Sequence, residues 1–166
     1  MKNYIIGILA VIILVLTSII YKQNQTTVPK PFPPLDEAFK GKSEAPLILY
    51  FFFSKNNCRS CLEIIEALNE LPPHFIVLGI VPENELKDEK EIRTITGAIF
   101  PIISPVKLKR HLPSYTPSLI GVSPKRGKIF FTLPSVPDGK ACLLIFLETL
   151  YGRIYDALLE ENRQDR

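Results

Sequence analysis

The chain has no tryptophan, one methionine, two histidines and only three cysteines in 166 residues. Three cysteines are too few for a disulfide-rich scaffold, and two of them, Cys58 and Cys61, stand at the C-x-x-C spacing that serves redox or metal chemistry. A four-ligand zinc site would need a second pair. Cys142 alone does not supply it, and His74 and His111 have no ligand spacing to the first pair. An excess of charge of one sign is also missing. The 20 basic and 17 acidic side chains are mixed along the chain and leave a net charge of +3, so no basic stripe for nucleic acid is present.

Charge is absent altogether from residues 4–21, YIIGILAVIILVLTSIIY. As a helix these 18 residues would run roughly 27 Å, close to the hydrocarbon thickness of a bilayer. Tyr4 and Tyr21 would sit at the two interfaces, flanked by Lys2 and Lys22. A cleaved export signal would have a shorter apolar core and a small-x-small site after it, and neither is found. Residues 1–22 are therefore expected to form an N-terminal membrane anchor. From the short N-terminal tail and the habit of signal anchors, the C-terminal domain is expected in the periplasm or another extracytoplasmic space.

Residues 23–44 follow as a linker. Its first part, QNQTTVPKPFPP, is polar and then proline-rich, and is expected to be a semi-extended spacer. The domain proper is expected over residues 45–160, with a polar tail over 161–166. LILYFFF at 47–53 is a continuous apolar run, the pattern of a strand buried on both faces among parallel neighbours. A helix is expected over 58–71, with Cys58, Cys61 or Leu62, Ile65 and Leu68 on one side, Glu63, Glu66 and Glu70 on the other, and Pro72 and Pro73 ending it. A second buried strand at 74–81 completes a parallel crossover unit. Residues 85–96 read as a surface helix stopped by Gly97, 98–103 as a short apolar segment and 106–111 as a helical turn. Strands at 117–122 and 128–133 flank the turn-rich SPKRG. A final helix over 138–159 carries a stripe of Leu143, Leu147, Leu150, Ile154 and Leu158, with Cys142 on or beside it and expected in the core.

The cysteine pair gains its meaning from position. Residues three apart on a helix have Cβ atoms about 5 to 6 Å apart, near enough to close a disulfide. Cys58 follows a buried strand and opens a helix, with Asn57 or Asn56 as N-cap and Arg59 and Lys55 adding positive charge nearby. Free N–H groups of a first helical turn and the helix dipole stabilise a thiolate, lowering such cysteines to a pKa of roughly 3.5 to 7.5. Cys58 is thus the candidate nucleophile. Cys61, one turn deeper and beyond Arg59 and Ser60, is the resolving thiol. The redox-active Cys58–Cys61 disulfide is itself the carrier of electrons, and no separate cofactor is implied.

This arrangement resembles the thioredoxin superfamily over residues 45–159, through the strand LILYFFF leading into SKNNCRSC and a helix. Thr116-Pro117 at the head of PSLIGV looks like the family's cis-proline, placed across from the cysteines. The segment from FPIISP to GKIFF is similar to the membrane-tethered periplasmic branch of cytochrome c maturation type. The resemblance implies a central mixed sheet flanked by helices, and a backbone at Thr116 that pairs with an extended substrate. It also implies a protein disulfide as substrate and a membrane-embedded thiol carrier as electron donor. The chain departs from the family at three positions: Asn57 replaces the usual tryptophan, Phe52 the buried aspartate of cytoplasmic members, and Ile64 the acid three residues after the second cysteine. The acceptor for the Cys61 proton is then sought in Glu63, Glu66 or water.

Two readings of function remain. One is a membrane-anchored thiol–disulfide oxidoreductase that reduces a dedicated partner. The other is a noncatalytic thioredoxin-like module that senses redox state or binds a protein. Copper held by the two thiolates is a third.

Overall fold

The computed structural model describes residues 32, 45–55, 61–108, 113, 116–134, 136 and 139–163. Every described residue belongs to the compact unit formed by residues 31–166. The apolar run becomes strand β1, Leu47–Phe52. Its odd-numbered side chains, Leu47, Leu49 and Phe51, enter one core, and its even-numbered Ile48, Tyr50 and Phe52 enter another on the opposite face. Period-two alternation of an unbroken apolar run requires both faces of the sheet to be covered, which is why this strand lies in the middle.

Helix α1, Cys61–Asn69, buries Cys61, Ile64, Ile65, Ala67 and Leu68, while Glu63 and Glu66 are exposed. Each fully buried Leu or Ile contributes about 1.5 to 3 kcal/mol, against at most about 1 kcal/mol for a surface ion pair. The apolar stripe therefore fixes the helix on the sheet. The bonds from Lys140 to Glu66 and Glu70 at 2.7 and 2.6 Å are an accessory clasp to the next helix on that face. Strand β2, Phe75–Ile80, lies parallel to β1 in the register Leu47 to Phe75 and Phe52 to Ile80.

A 3-10 turn over Leu86–Asp88 leads into helix α2, Glu89–Thr96. Gly97 ends it in the left-handed conformation, φ 71°, with its N–H donating to the Arg93 carbonyl at 2.9 Å. Strand β3 is only Ile102–Ile103, parallel to β2, and a further 3-10 turn covers Pro105–Leu108. Strands β4, Ser118–Val122, and β5, Ile129–Leu133, pair antiparallel with an irregularity at Gly121 and Val122. The sheet order is β3-β2-β1-β4-β5.

Helix α3, Lys140–Arg163, extends three residues beyond 160, into the stretch expected to be a polar tail, and Glu161 there is buried. Its buried stripe is Leu143, Leu147, Tyr151 and Leu158. Leu150 and Ile154, expected on that stripe, are only partly buried. Tyr151 takes the inward position because its hydroxyl finds the Ala45 carbonyl at 2.8 Å and its ring lies on His74, centroids 4.0 Å apart. Cys142 is corrected by the same phasing: the expectation of a core cysteine fails, and its thiol is free and exposed. It precedes Leu143, which is completely buried, and neighbours on a helix point about 100° apart.

The second face of the sheet is covered in part by a residue of the stretch read as spacer. Phe32 donates its N–H to the Gly127 carbonyl at 2.9 Å and stacks on Tyr50 with ring centroids 4.8 Å apart. Residues 4–21, expected to form the anchor, lie outside the described residues. Among the described residues no helix is long and apolar enough to cross a membrane.

Candidate active site

Three segments meet at the C-terminal end of β1. Strand β1 runs out through Phe53 and Ser54 to Lys55, and Cys61 is the first residue of α1. Cys61 is disulfide-bonded and fully buried, packed in the same core as Phe53, Ile64 and Ile65. The candidates Cys58, Arg59, Ser60 and Asn57, with Asn56 and His111, lie outside the described residues.

The second segment is the head of β4. Phe52 pairs with Ser118, so the preceding dipeptide Thr116-Pro117 lies beside the point where β1 delivers the chain towards the cysteines. The Thr116–Pro117 peptide bond is cis. Thr116 is exposed and Ser118 completely buried, which makes this point the border between core and solvent. A mostly apolar pocket of about 330 Å³ opens next to it, lined among others by Phe52, Phe53, Ile80, Val81, Pro105 and Thr116.

The third segment follows β2. Glu85 is buried, 4% exposed, although it stands in a loop rich in charge. Its Oε1 accepts the Ser54 hydroxyl at 2.7 Å and its Oε2 accepts the Lys55 backbone N–H at 2.8 Å. The Lys55 ammonium turns to Asp88 Oδ2 at 2.8 Å and Glu91 Oε2 at 3.0 Å. The hydrogen bonds that Lys55 donates to Asp88 and then to Glu91 raise its pKa above the ordinary value. Its charge is therefore offset by two carboxylates, on the side where the sequence offered it as positive charge near Cys58.

Sequence reasoning missed Glu85. It sought a carboxylate on the cysteine helix, where Glu63 is exposed and Glu66 is engaged with Lys140. Nothing local distinguishes Glu85 from its exposed neighbours Glu83 and Asn84; its burial comes from partners about 30 residues earlier in the chain. Among the described residues no group of three or more His, Cys, Asp or Glu side chains is placed to hold a metal ion.

No protein-family model and no curated protein sequence matches this chain. Solved structures do. A thiol:disulfide interchange protein of the thioredoxin family from Chlorobium tepidum TLS superposes with a TM-score of 0.51 at 15% identity, over 64% of this chain and 81% of its own. A second Chlorobium tepidum chain, provisionally titled thiol:disulfide interchange protein DsbE, gives 0.52 at 15% identity, over 78% and 96%. A chain from Neisseria meningitidis, provisionally titled a thioredoxin, gives 0.50 at 19% identity, over 64% and 75%. Likeness at this level of identity is a likeness of fold. The chain has a thioredoxin-like α/β fold, a mixed five-stranded sheet with helices.

Proposed function

We propose that the protein is a membrane-anchored, extracytoplasmic thiol–disulfide oxidoreductase that uses Cys58 and Cys61 to reduce a disulfide of a dedicated partner protein. The observation that carries this reading is the placing of Cys61: disulfide-bonded, buried at the start of α1, fed by the central strand whose end lies beside Thr116-Pro117. With three cysteines in the chain and Cys142 a free thiol, Cys58 is the partner we assign to Cys61.

In the reduced protein the Cys58 thiolate attacks one sulfur of the partner's disulfide, forming a mixed disulfide and releasing the partner's other sulfur as thiolate. Cys61 then loses its proton and attacks the Cys58 sulfur. The Cys58–Cys61 bond closes, the partner's second thiolate leaves, and two electrons have passed to the partner. A membrane-embedded thiol carrier reverses the exchange and restores the dithiol. Burial of Cys61 suits it to the second step, since it keeps this thiol from attacking the partner's disulfide directly and leaves it the sulfur of Cys58 to attack. Thr116 is exposed, its main chain is the candidate to pair with an extended segment of the partner, and the pocket beside it suits an apolar side chain of that segment.

The uncharged segment at 4–21 supports the membrane anchor. The anchored reading expects the full chain to stay with membranes through an alkaline carbonate wash and to be released once residues 1–30 are removed; a full chain washed off would end it.

Single cysteine variants test the chemistry. Cys61→Ser should accumulate a mixed disulfide with a partner through Cys58, visible as a reducible high-mass band, and Cys58→Ser should not. If neither variant traps a partner and the wild type fails to reduce insulin, the oxidoreductase reading gives way to a redox sensor or binding module.

A further inference from the structure

Two described and well-anchored positions bracket Cys58 in the sequence. At the downstream end Cys61 is locked in the core, fully buried. At the upstream end the last described residues, Ser54 and Lys55, are both held by one carboxylate, that of Glu85, at 2.7 and 2.8 Å. Cys58 stands three residues beyond Lys55 and three before Cys61.

Burial separates this clasp from the ion pairs around it. Hydrogen bonds to a carboxylate shielded from water are stronger than ion pairs between exposed groups, which solvent and salt screen. Ser54 and Glu85 are buried, while Asp88 and Glu91 are about half exposed. The Lys55 side-chain bridges are thus the minor tie and Glu85 the major one. Glu85 is itself set in place by its backbone: its N–H donates to the Pro82 carbonyl and its carbonyl accepts the Asp88 N–H, both at 2.9 Å.

We propose that Glu85 is a positioning residue for the redox pair: by clasping Ser54 and Lys55 it fixes the entry to the cysteine segment, and through that the seat of the Cys58 thiolate. The inference rests on the oxidoreductase reading given above and adds a residue to it. Glu85 acts in this way through geometry, because the charge of a carboxylate by itself opposes the ionisation of a thiol.

Geometry and charge are separable by substitution. In Glu85→Gln the amide oxygen can accept the Lys55 N–H while the amide NH₂ donates to a Ser54 hydroxyl turned to accept it, so the clasp survives without the charge. In Glu85→Ala both bonds are lost. The readout is the pH profile of Cys58 alkylation in the reduced full chain carrying Cys142→Ser, which needs no partner protein. The expected result is a fall of about tenfold in the alkylation rate at pH 7 for Glu85→Ala, equivalent to a rise of one pKa unit, with Glu85→Gln within about twofold of the parent. Ser54→Ala removes one arm of the clasp, and a smaller fall in the same direction is expected; it decides the matter if Glu85→Ala does not fold. Equal shifts in Glu85→Gln and Glu85→Ala, or an unchanged profile in Ser54→Ala and Glu85→Ala alike, would overturn the proposal. Mixed-disulfide trapping by Cys61→Ser is a separate measurement, so loss of the clasp proposal leaves the enzymatic reading standing.

Discussion

A thiol on the outer side of a helix reacts on its own terms, and Cys142 is placed that way. It lies on α3 among the exposed Ile145 and Phe146, whereas Cys61 is buried and held in a disulfide. Ellman's reagent should therefore titrate one thiol per chain in the oxidised native protein, and none in Cys142→Ser. Two or more reactive thiols would contradict the assigned pair. Glu85 shows the opposite relation between residue type and surroundings. Glutamate is almost never fully buried unless paired, and here the pairing is with a hydroxyl and a backbone N–H reached across the fold. Periodicity in the sequence marks which residues are apolar enough to be buried. It does not mark a polar residue whose burial depends on partners 30 and 31 positions away.

At the scale of the element, the connection between β4 and β5 does more than reverse the chain. Ser123 and Lys128 close the turn by a backbone bond of 2.8 Å, and Gly127 adopts φ 62° within it. A side chain at Gly127 would meet the backbone of Phe32, its Cβ only 2.2 Å from the Phe32 carbonyl oxygen. Gly127→Ala should then cost about 1 to 2 kcal/mol from the left-handed conformation alone, and more from the displaced Phe32. A urea titration checks this, and the loss should shrink when Phe32 has already been changed to Ala. The turn was legible as SPKRG and the strands as alternating or continuous apolar runs, because both signals lie within a few residues. The docking of Phe32 was not legible: VPKPFPP carries the signature of an extended spacer, and only Tyr50 and Gly127 give its one aromatic ring a place to pack. Helix α3 was legible as an element but its phase was partly misjudged. Leucine spacing fits two neighbouring stripes, and the Ala45 carbonyl waiting for the Tyr151 hydroxyl selects between them.

For the whole molecule, covering both sheet faces has a consequence in alkaline solution. Burial pushes the Tyr50 phenol up from 10.0 to about 12. Since the folded phenol keeps its proton more tightly than an unfolded one, its contribution to stability is whole below pH 10 and is lost as pH rises through about 12. The urea midpoint should fall more steeply between pH 10 and 12 for the wild type than for Tyr50→Phe; parallel profiles would place the phenol in water. The sequence by itself determined the thioredoxin-like α/β class, the strand that enters the C-x-x-C segment, the Gly97 stop and the turn between β4 and β5. The class came through the resemblance of these motifs to a known family, and the other three follow from spacing and backbone preference among near neighbours. Only the tertiary structure decided that Phe52 faces Ser118 and so brings Thr116-Pro117 to the end of β1. It alone seated Glu85 on Ser54 and Lys55, and turned Cys142 outward. Those outcomes depend on which distant groups arrive at hydrogen-bonding distance once the two cores close, a property of packing that no local window of residues contains.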